Sequence, residues 1–469
     1  MELKSSGRRL SVLTLGFLAV VTPRVTAQSL TPDQSLGREI LAELIGINTT
    51  LEHGSTTPAA EAVARRLLAA GFPAADVQVV GPAETNKNLV ARLRGTGKRR
   101  PILLLAHLDV VEALRSDWSM DPFTLTERDG YFYGRGTSDI KDMAAIFVAT
   151  LIRLKREHFV PDRDIILALE SGEETSGAGM RWLLSARRDL IDAEYCINGD
   201  AGDPLEQDGK PVVRVVQASE KVYHDLRFEV HNPGGHSSLP VPDNAIYRLA
   251  AALERLAAFR FPLSLNPVTR VYFERMAATQ PPDVAADMRA LLGDPIDTAA
   301  ADRLSRRSPL FNSMLHTTCV ATRLEAGHAN NALPQTARAT VNCRMLPQDP
   351  TERVEALLRQ VVADTAVHVI AIDTAVPSPP SPITPDVFGP LERVTHQMWP
   401  GVPIIPNMET GATDGLFLRN AGVPVYGVSG VFVDEHDIRA HGRDERIGVR
   451  EYYAGLEFTY RFVKALAKP

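Results

Sequence analysis

The sequence has 469 residues, 44% of them hydrophobic and 23% charged, which is usual for a globular protein with a large core and two or three domains. Its formal net charge is −6; without residues 1–27, which hold four basic residues and one acidic residue, 47 basic residues stand against 56 acidic ones and the charge is −9. This acidic balance argues against nucleic-acid binding, because domains that bind phosphates are usually basic.

The N-terminus is predicted to be a secretory signal peptide. Three basic residues lie within the first nine, residues 10–21 form a short apolar run, and residues 25–27 are a small-residue cleavage site. The alternative is a membrane anchor, but a membrane span needs about 20 apolar residues and this run is shorter. We therefore expect an exported protein, periplasmic or secreted, with no membrane span after cleavage.

Residues 34–218 alternate helical patterns with short apolar runs. The runs 102–106 and 165–169 are continuously apolar, as expected of strands that are covered on both faces. Residues 194–198 are predicted to form a third strand, and a long helix is predicted over 140–155. This alternation is typical of an α/β sheet.

The pattern changes after residue 218. Alternate apolar residues in 222–230 predict a half-buried antiparallel strand. The elements predicted next are a helix at 243–259, an irregular insertion with short helices at 265–313, paired strands at 317–325 and 337–345, a helix at 351–362 and a strand at 367–372. A Pro-rich linker at 376–382 precedes a return of the α/β pattern.

These patterns predict an α/β domain, residues 28–218 and 379–469, which is interrupted by a smaller α+β domain, residues 219–378. The three cysteines, Cys196, Cys319 and Cys343, lack the paired spacing of a structural zinc site. Their odd number leaves at least one free or intermolecular. Each lies in a strand-like apolar run, which favours buried packing.

Residue types that bind metals follow the predicted strands, where active groups gather in open α/β sheets. They are His107 and Asp109 after the first strand, Asp139 after a glycine-rich turn, Glu173 and Glu174 after the second strand, Asp200 after the third, and His441 near the C-terminus. Each alone is a weak signal, since such residues are common at turns and helix caps. Their joint placement after successive strands predicts a metal site.

At these positions the chain resembles the zinc metallopeptidases and amidohydrolases that include aminoacylase, succinyl-diaminopimelate desuccinylase and carboxypeptidase S, with the carboxypeptidase S branch nearest. The matching segments are Leu-Leu-Ala-His-Leu-Asp109, Gly-Arg-Gly-Thr-Ser-Asp139, Ser-Gly-Glu-Glu174, Asn-Gly-Asp200, Gly-Gly-His236-Ser-Ser, Asn331-Ala-Leu-Pro, Gly411-Ala-Thr-Asp and His441-Gly-Arg-Asp-Glu. The resemblance implies a zinc-peptidase-like mixed sheet flanked by helices, with a ferredoxin-like lid or dimerisation domain inserted.

The resemblance also implies roles. Asp139 would bridge two zinc ions, with cobalt or manganese as the alternatives. His107 and Asp200 would complete one metal site, and Glu174 and His441 the other. The remaining implied roles are a general base for Glu173, an orienting contact from Asp109 to His107, and a cis peptide between Asp139 and Ile140.

The inserted domain is expected to supply the rest of the site. His236 resembles the histidine that steadies the oxyanion, and Asn331 and Arg344 resemble the groups that hold the substrate carboxylate, a role that suits an arginine fork. Gly411 and Thr413 are expected to line the substrate end of the pocket. In many relatives the histidine reaches the partner subunit, so we expect a homodimer.

The first functional hypothesis is a metallopeptidase of the dipeptidase or carboxypeptidase type, acting on short peptides with a free C-terminus. Asp200, where other branches have Glu, favours this group. The alternative is an N-acyl-amino-acid amidohydrolase. A non-catalytic binding relative is disfavoured, because all five ligand positions and Glu173 are occupied by competent residues. One departure from the pattern is Asp444, which stands where Asn is common.

Overall fold

The computed structural model describes residues 29–468, so the predicted signal peptide lies outside the described residues. Within 29–468, no helix combines the length and apolarity that a membrane crossing needs. The helices are α1 (Pro32–Ile45), α2 (Thr57–Ala69), α3 (Lys141–Arg156), α4 (Ala178–Ala186), α5 (Arg188–Ile191), α6 (Ala245–Ala258), α7 (Pro267–Met276), α8 (Pro282–Ala290), α9 (Thr298–Arg307), α10 (Pro309–Leu315), α11 (Thr351–Val362), α12 (Pro385–Met398), α13 (Gly415–Asn420) and α14 (Val449–Leu466).

The strands form one large sheet, one four-stranded sheet and two small ribbons. They are β1 (Val77–Ala83), β2 (Asn86–Leu93), β3 (Ile102–His107), β4 (Thr126–Arg128), β5 (Tyr131–Tyr133), β6 (Ile165–Glu170), β7 (Tyr195–Asn198), β8 (Leu205–Gln207), β9 (Lys210–Glu220), β10 (Val222–His231), β11 (Gly235–His236), β12 (Thr318–Ala326), β13 (Ala332–Leu333), β14 (Thr336–Met345), β15 (Val367–Ala371), β16 (Ile404–Glu409), β17 (Val425–Gly427), β18 (Val433–Asp434) and β19 (Arg446–Gly448).

The large sheet has ten strands in the order β1-β2-β6-β3-β7-β17-β9-β8-β18, with β16 paired to β9. Strand β3 is continuously apolar because it is covered on both faces. Leu104 points into the core that contains α1, α3 and α14, whereas Leu103 and Leu105 point into a second core beneath α4. The predicted α/β fold is confirmed.

The four-stranded sheet lies within residues 222–371 and has the order β12-β14-β10-β15, with all pairs antiparallel. Helices α6 and α11 pack on one face, against Leu226, Phe228 and Val230. Chain order and strand order together make the predicted ferredoxin-like α+β unit. The other face carries polar side chains, and none of the helices within residues 29–468 covers it.

The segment 265–313, predicted to be irregular with short helices, forms the four helices α7 to α10. Their apolar side chains, such as Phe273 and Met288, pack with Ile405 and Met408 of β16. The insertion therefore packs on the large sheet and does not cover the polar face of the four-stranded sheet. The domain boundaries near 219 and 378 remain a prediction. The first of them is consistent with the short connection between β9 and β10.

The buried packing expected of the cysteines is found for Cys196 and Cys343, but two of the three also form a disulfide, which the sequence did not predict. Cys319 and Cys343 lie opposite each other on β12 and β14 and form a disulfide. Cys196 is free and buried in β7. The sequence does not show which cysteines pair, because the pairing depends on how β12 and β14 lie side by side. Each cysteine taken alone has the apolar neighbours of a core residue.

Candidate metal centre

The parallel pairing of β6, β3 and β7 brings the predicted ligands to one edge of the large sheet. In the register, His107 lies opposite Glu170 of β6, and Leu105 lies opposite Asn198 of β7. Glu173, Glu174 and Asp200 follow immediately after these strand ends. Because parallel strands end on the same side, the sheet collects their side chains there.

Two groups of residues with metal-binding side chains, called the ligand groups below, share one member, Asp139. In the first group, His107 Nε2 lies 3.1 Å from Asp139 Oδ1 and 3.7 Å from Asp200 Oδ1. In the second, His441 Nε2 lies 3.0 Å from Asp139 Oδ2 and 3.0 Å from Glu174 Oε2. In each group the three ligand atoms lie within 4.8 Å of one another. The two oxygens of Asp139 therefore face different groups.

The shared carboxylate is held in its charged form. Burial favours neutral Asp139, but hydrogen bonds with His107 and His441 outweigh burial and keep the pKa of this carboxyl well below its usual range. The peptide bond between Asp139 and Ile140 is cis, as the resemblance implied. Helix α3 begins one residue later, so Asp139 stands at the junction of a turn and a helix.

Glu445 organises the turn that presents Asp139. Its carboxylate accepts hydrogen bonds from the backbone N–H groups of Gly136, Ser138 and Asp139, at 2.7 to 3.1 Å. Arg135 donates to the same carboxylate at 2.6 Å, and both side chains are buried. In the sequence Glu445 is recognisable only as the last residue of the His441-Gly-Arg-Asp-Glu motif, because nothing there places it beside a turn 309 positions away.

The departure at Asp444 has a structural role of its own. Its Oδ1 accepts hydrogen bonds from the backbone N–H and the hydroxyl of Ser119, at 2.8 and 3.0 Å. Its φ of 51° and the φ of 61° at His441 lie in the left-handed region, which aspartate tolerates better than most residues. Asp444 thus ties the His441 loop to residue 119 and makes no contact with the ligand groups.

Asp109 acts differently from the expected role. The group nearest to His107 Nδ1 is the backbone carbonyl of Asp109, at 2.9 Å, whereas its carboxylate is 3.9 Å away. That carboxylate accepts backbone N–H bonds from Gly172, Glu173 and Glu174, at 2.8 to 3.3 Å. Asp109 therefore holds the imidazole through its main chain and shapes the Glu173–Glu174 turn through its side chain.

Glu173 lies beside the first ligand group. Burial and the negative charge of Asp200 raise the pKa of Glu173 well above its usual value, and the nearby His107 partly opposes this rise. A raised pKa suits a carboxylate that must take up and release a proton near neutral pH. No ligand group within residues 29–468 includes Glu173.

A second buried carboxyl pair lies behind the site and was not foreseen from the sequence. Burial raises the pKa of Asp414 to about 7, and burial together with the nearby negative charge of Asp414 raises the pKa of Glu170 well above its usual value. Each reads singly as an ordinary turn residue. Their pairing depends on β6 and α13 meeting in space.

The predicted substrate residues fall into two places. Gly411 and Thr413 lie on the large-sheet side; Thr413 is buried, and its hydroxyl donates to Glu220 Oε2 at 3.0 Å. An added Cβ at Gly411 would meet no heavy atom within 4 Å, so the backbone there borders open space. The contact of Thr413 with Glu220 ties this loop to the end of β9, and the place of both residues in a substrate pocket remains a prediction.

His236, Asn331 and Arg344 lie on the inserted unit. His236 is exposed, and its Nδ1 lies 2.7 Å from the hydroxyl oxygen of Ser238. Ser237 donates its backbone N–H to the carbonyl of Asn331. Arg344 is half-buried on the free face of the four-stranded sheet. Within residues 29–468, no ion pair or hydrogen bond joins any of the three to the ligand groups. His436 is exposed and is not a member of either group.

A mixed sheet that gathers His and carboxylate ligands at the ends of parallel strands, with an inserted ferredoxin-like unit, defines a metal-dependent hydrolase of amide bonds. The chain belongs to the peptidase family M20/M25/M40, whose model matches residues 103–465. The predicted family resemblance is confirmed.

Relatives of known name support the same assignment. The chain is 30% identical over 374 residues to the human N-fatty-acyl-amino acid synthase/hydrolase PM20D1, covering 78% of this chain and 74% of that protein. It is 28% identical over 401 residues to a probable carboxypeptidase S-like protein of Dictyostelium discoideum, covering 82% and 75%. A probable succinyl-diaminopimelate desuccinylase of Staphylococcus aureus is 28% identical over 306 residues, covering 65% and 66%.

Solved structures show the same fold. An M20 family metallo-carboxypeptidase from Sulfolobus solfataricus superposes with a TM-score of 0.66 at 17% identity, covering 92% of this chain and 99% of that one. Human carnosine dipeptidase 1 superposes with a TM-score of 0.64 at 17% identity, covering 92% and 96%. The α/β fold with an inserted α+β unit is therefore shared across the family.

Proposed function

We propose that the protein is a dinuclear zinc metallopeptidase that hydrolyses a peptide bond in short peptides with a free C-terminal carboxylate. The observation that carries the proposal is the position of Asp139, whose Oδ1 faces His107 and whose Oδ2 faces His441. A carboxylate shared in this way is what a pair of cations about 3.5–4 Å apart requires.

The donor set fits zinc. Imidazole nitrogens and carboxylate oxygens are common zinc ligands, and each group offers three of them, which leaves a position open for water or substrate. Glu174 is consistent with this, because its Oε1 is buried and has no hydrogen-bond partner among the described residues. We assign His107, Asp139 and Asp200 to one ion, and Asp139, Glu174 and His441 to the other.

The chain's own residues supply the proton transfers. When bound, the two cations polarise the amide carbonyl and acidify the attacking water. Glu173, close to the first group but not in it, accepts the proton from that water and passes it to the leaving amine. Asp109 keeps Glu173 in place through backbone N–H bonds of the turn that carries it.

Arg344 is the best candidate to bind the C-terminal carboxylate. Within the described chain its guanidinium has no ion pair, although it is half-buried and carries a charge. A free guanidinium can donate two parallel hydrogen bonds to a carboxylate. We assign Asn331 to the same end of the substrate, Gly411 to the pocket wall, and the exposed His236 to the oxyanion of a partner subunit in a homodimer.

An N-acyl amino acid is the second candidate substrate. It carries the same free carboxylate next to the cleaved amide, and a relative at 30% identity is named an N-fatty-acyl-amino acid synthase/hydrolase. Kinetics with matched substrates that share one C-terminal residue would decide between a dipeptide, a lauroyl amino acid and an acetyl amino acid. A kcat/KM for dipeptides at least tenfold above the acyl compounds supports the peptidase, and the reverse order supports the alternative.

Export is proposed from the sequence and from one structural feature. The disulfide between Cys319 and Cys343 suits an oxidising compartment such as a periplasm or the outside of the cell, since disulfides are rare in reducing cytosol. N-terminal sequencing of the protein from its native source would test cleavage after Ala27. A homodimer would be tested by light scattering at micromolar concentration.

A further inference from the structure

Tyr223 and Arg344 are direct cross-strand neighbours. In the register of β10 and β14, Tyr223 lies opposite Arg344 and Asp225 lies opposite Asn342. All four side chains point away from the helix-covered face of the sheet, because the residues between them, His224 and Cys343, are buried, and Val222 and Cys343 belong to the core under α6 and α11. The pair is therefore positioned by the backbone of the sheet, with no loop involved.

The aromatic ring is held in a fixed place. The Tyr223 hydroxyl donates to Asp225 Oδ2 at 2.6 Å, and Asn342 Nδ2 donates to Asp225 Oδ1 at 2.8 Å. The Arg344 Cζ lies 4.6 Å from the centroid of the Tyr223 ring, which is the geometry of a cation–π contact. The ring thus provides a platform on which the guanidinium rests.

The charge of Arg344 remains available to a ligand. Two acidic side chains of β10 lie on the same face: Asp225 already accepts from Tyr223 and Asn342, and Glu229 pairs with Arg227 and Arg338. Arg344 forms no ion pair within residues 29–468. The hydrogen bond to Asp225 raises the pKa of Tyr223 to about 12, so the phenol stays neutral and does not compete as an anion. An arginine that is stacked, half-buried and unpaired is suited to an incoming carboxylate.

This end of the sheet adjoins the large sheet at Thr413. Glu220 ends β9 and accepts a hydrogen bond from Thr413 at 3.0 Å. Tyr223 follows Glu220 by three residues, which is about 10 Å of extended chain. The Tyr223–Arg344 pair therefore lies at the end of the four-stranded sheet that joins the large sheet, the side on which Gly411 and Thr413 lie.

We propose that Tyr223 is a positioning residue for substrate recognition, which orients the Arg344 guanidinium for the C-terminal carboxylate. The inference rests on the proposed function, because it assumes that Arg344 binds that carboxylate. Arginine has many rotamers, and ordering it only when substrate arrives costs affinity. A ring that orders it beforehand improves binding of free-carboxylate substrates and leaves the chemical step unchanged.

The test compares Tyr223→Leu with Tyr223→Phe, each fully loaded with zinc. Tyr223→Leu removes the platform and should raise KM for a free-carboxylate substrate about tenfold, with kcat within about twofold of wild type. Tyr223→Phe keeps the ring and should keep KM within about threefold. The kcat/KM for the same substrate with a C-terminal carboxamide should change less than twofold in both variants.

Tyr247→Leu is the matched control, because Tyr247 is an exposed tyrosine on α6 and leaves Arg344 untouched. Thermal unfolding and zinc content measured on all variants show whether a loss is structural. If Arg344→Met raises KM and Tyr223→Leu does not, the role of Tyr223 is wrong and the proposed function stands. If Arg344→Met itself leaves KM unchanged, the carboxylate site is wrongly assigned and this inference falls with it.

Discussion

Oε1 of Glu445 accepts a hydrogen bond from the backbone N–H of Asp139 at 3.1 Å, although the two residues are 306 positions apart. Glu445 follows His441 by four residues, so the loop that carries one proposed ligand holds the turn that carries the shared ligand. The two candidate ligand groups are therefore linked by the protein chain as well as by their shared residue, Asp139.

We predict that Glu445→Gln weakens metal binding. The amide nitrogen would face N–H donors of the turn, and buried Arg135 would lose its counter-charge, a loss that typically costs about 3–5 kcal/mol. Thermal unfolding and zinc retained after dialysis against a weak chelator measure the two effects. Asp76→Asn, which removes a carboxylate paired with Arg94 far from the ligands, is the control and should retain zinc. Equal zinc retention in both variants would contradict the linking role.

We predict that Glu173→Ala abolishes turnover and keeps the metal. Loss of a general base lowers the rate by roughly 100-fold to 10,000-fold. Metal analysis of the purified variant should match wild type, because Glu173 is outside both ligand groups. Glu174→Ala provides the contrast and should lose metal and activity together. Near-normal kcat in Glu173→Ala would show that another group accepts the proton.

We predict that chelation removes activity and that two equivalents of zinc per chain restore it. Each proposed ion has three protein ligands, and the shared Asp139 makes their binding interdependent. His107→Ala should lower the zinc content by at least one equivalent. His396→Ala is the control, since this exposed histidine on α12 belongs to no group of metal-binding residues within residues 29–468. Full activity with a single equivalent would contradict the dinuclear centre.

We predict that Lys221 makes the free energy of unfolding depend on pH. Burial lowers its pKa from 10.5 to about 7, although the ammonium donates to the carbonyls of Ser313 and His316. Between about pH 7 and 10.5 the unfolded chain holds a proton that the folded chain has released, so stability rises with pH by roughly 1 kcal/mol per unit. Urea unfolding of wild type against Lys221→Met should show this difference, and parallel pH curves would contradict the shifted pKa.

We predict that reduction of the disulfide destabilises the inserted unit. Cys319 and Cys343 close a loop of 24 positions between β12 and β14, and such crosslinks typically contribute about 2–4 kcal/mol. Thiol titration in denaturant should count one free thiol, from Cys196, before reduction and three after it. The Cys196→Ala variant should then show none before reduction. Three thiols in the unreduced protein would rule out the crosslink.

The sequence was enough to predict the sheet and the ligand residues, because those signals are local. A continuous apolar run such as 102–106 predicts a buried strand. A metal-binding residue type directly after the run predicts which edge of the sheet carries the site. The contacts of residues that hold the candidate ligands in place were harder to predict from the sequence. The sequence predicts an orienting contact from Asp109 to His107, but a spacing of two residues does not decide whether the main chain or the carboxylate makes it. In the structure the carbonyl lies 2.9 Å from His107 Nδ1 and the carboxylate lies 3.9 Å away.

Chain order alone determined the alternation of elements, the family and the identity of the candidate ligands, because hydrophobic periodicity and short motifs depend on neighbours in sequence. Only the tertiary structure decided that Glu445 holds the Asp139 turn, that Cys319 pairs with Cys343, and that Tyr223 lies beneath Arg344. Those contacts join distant segments, and side-chain geometry across strands and loops is set by packing of the whole chain.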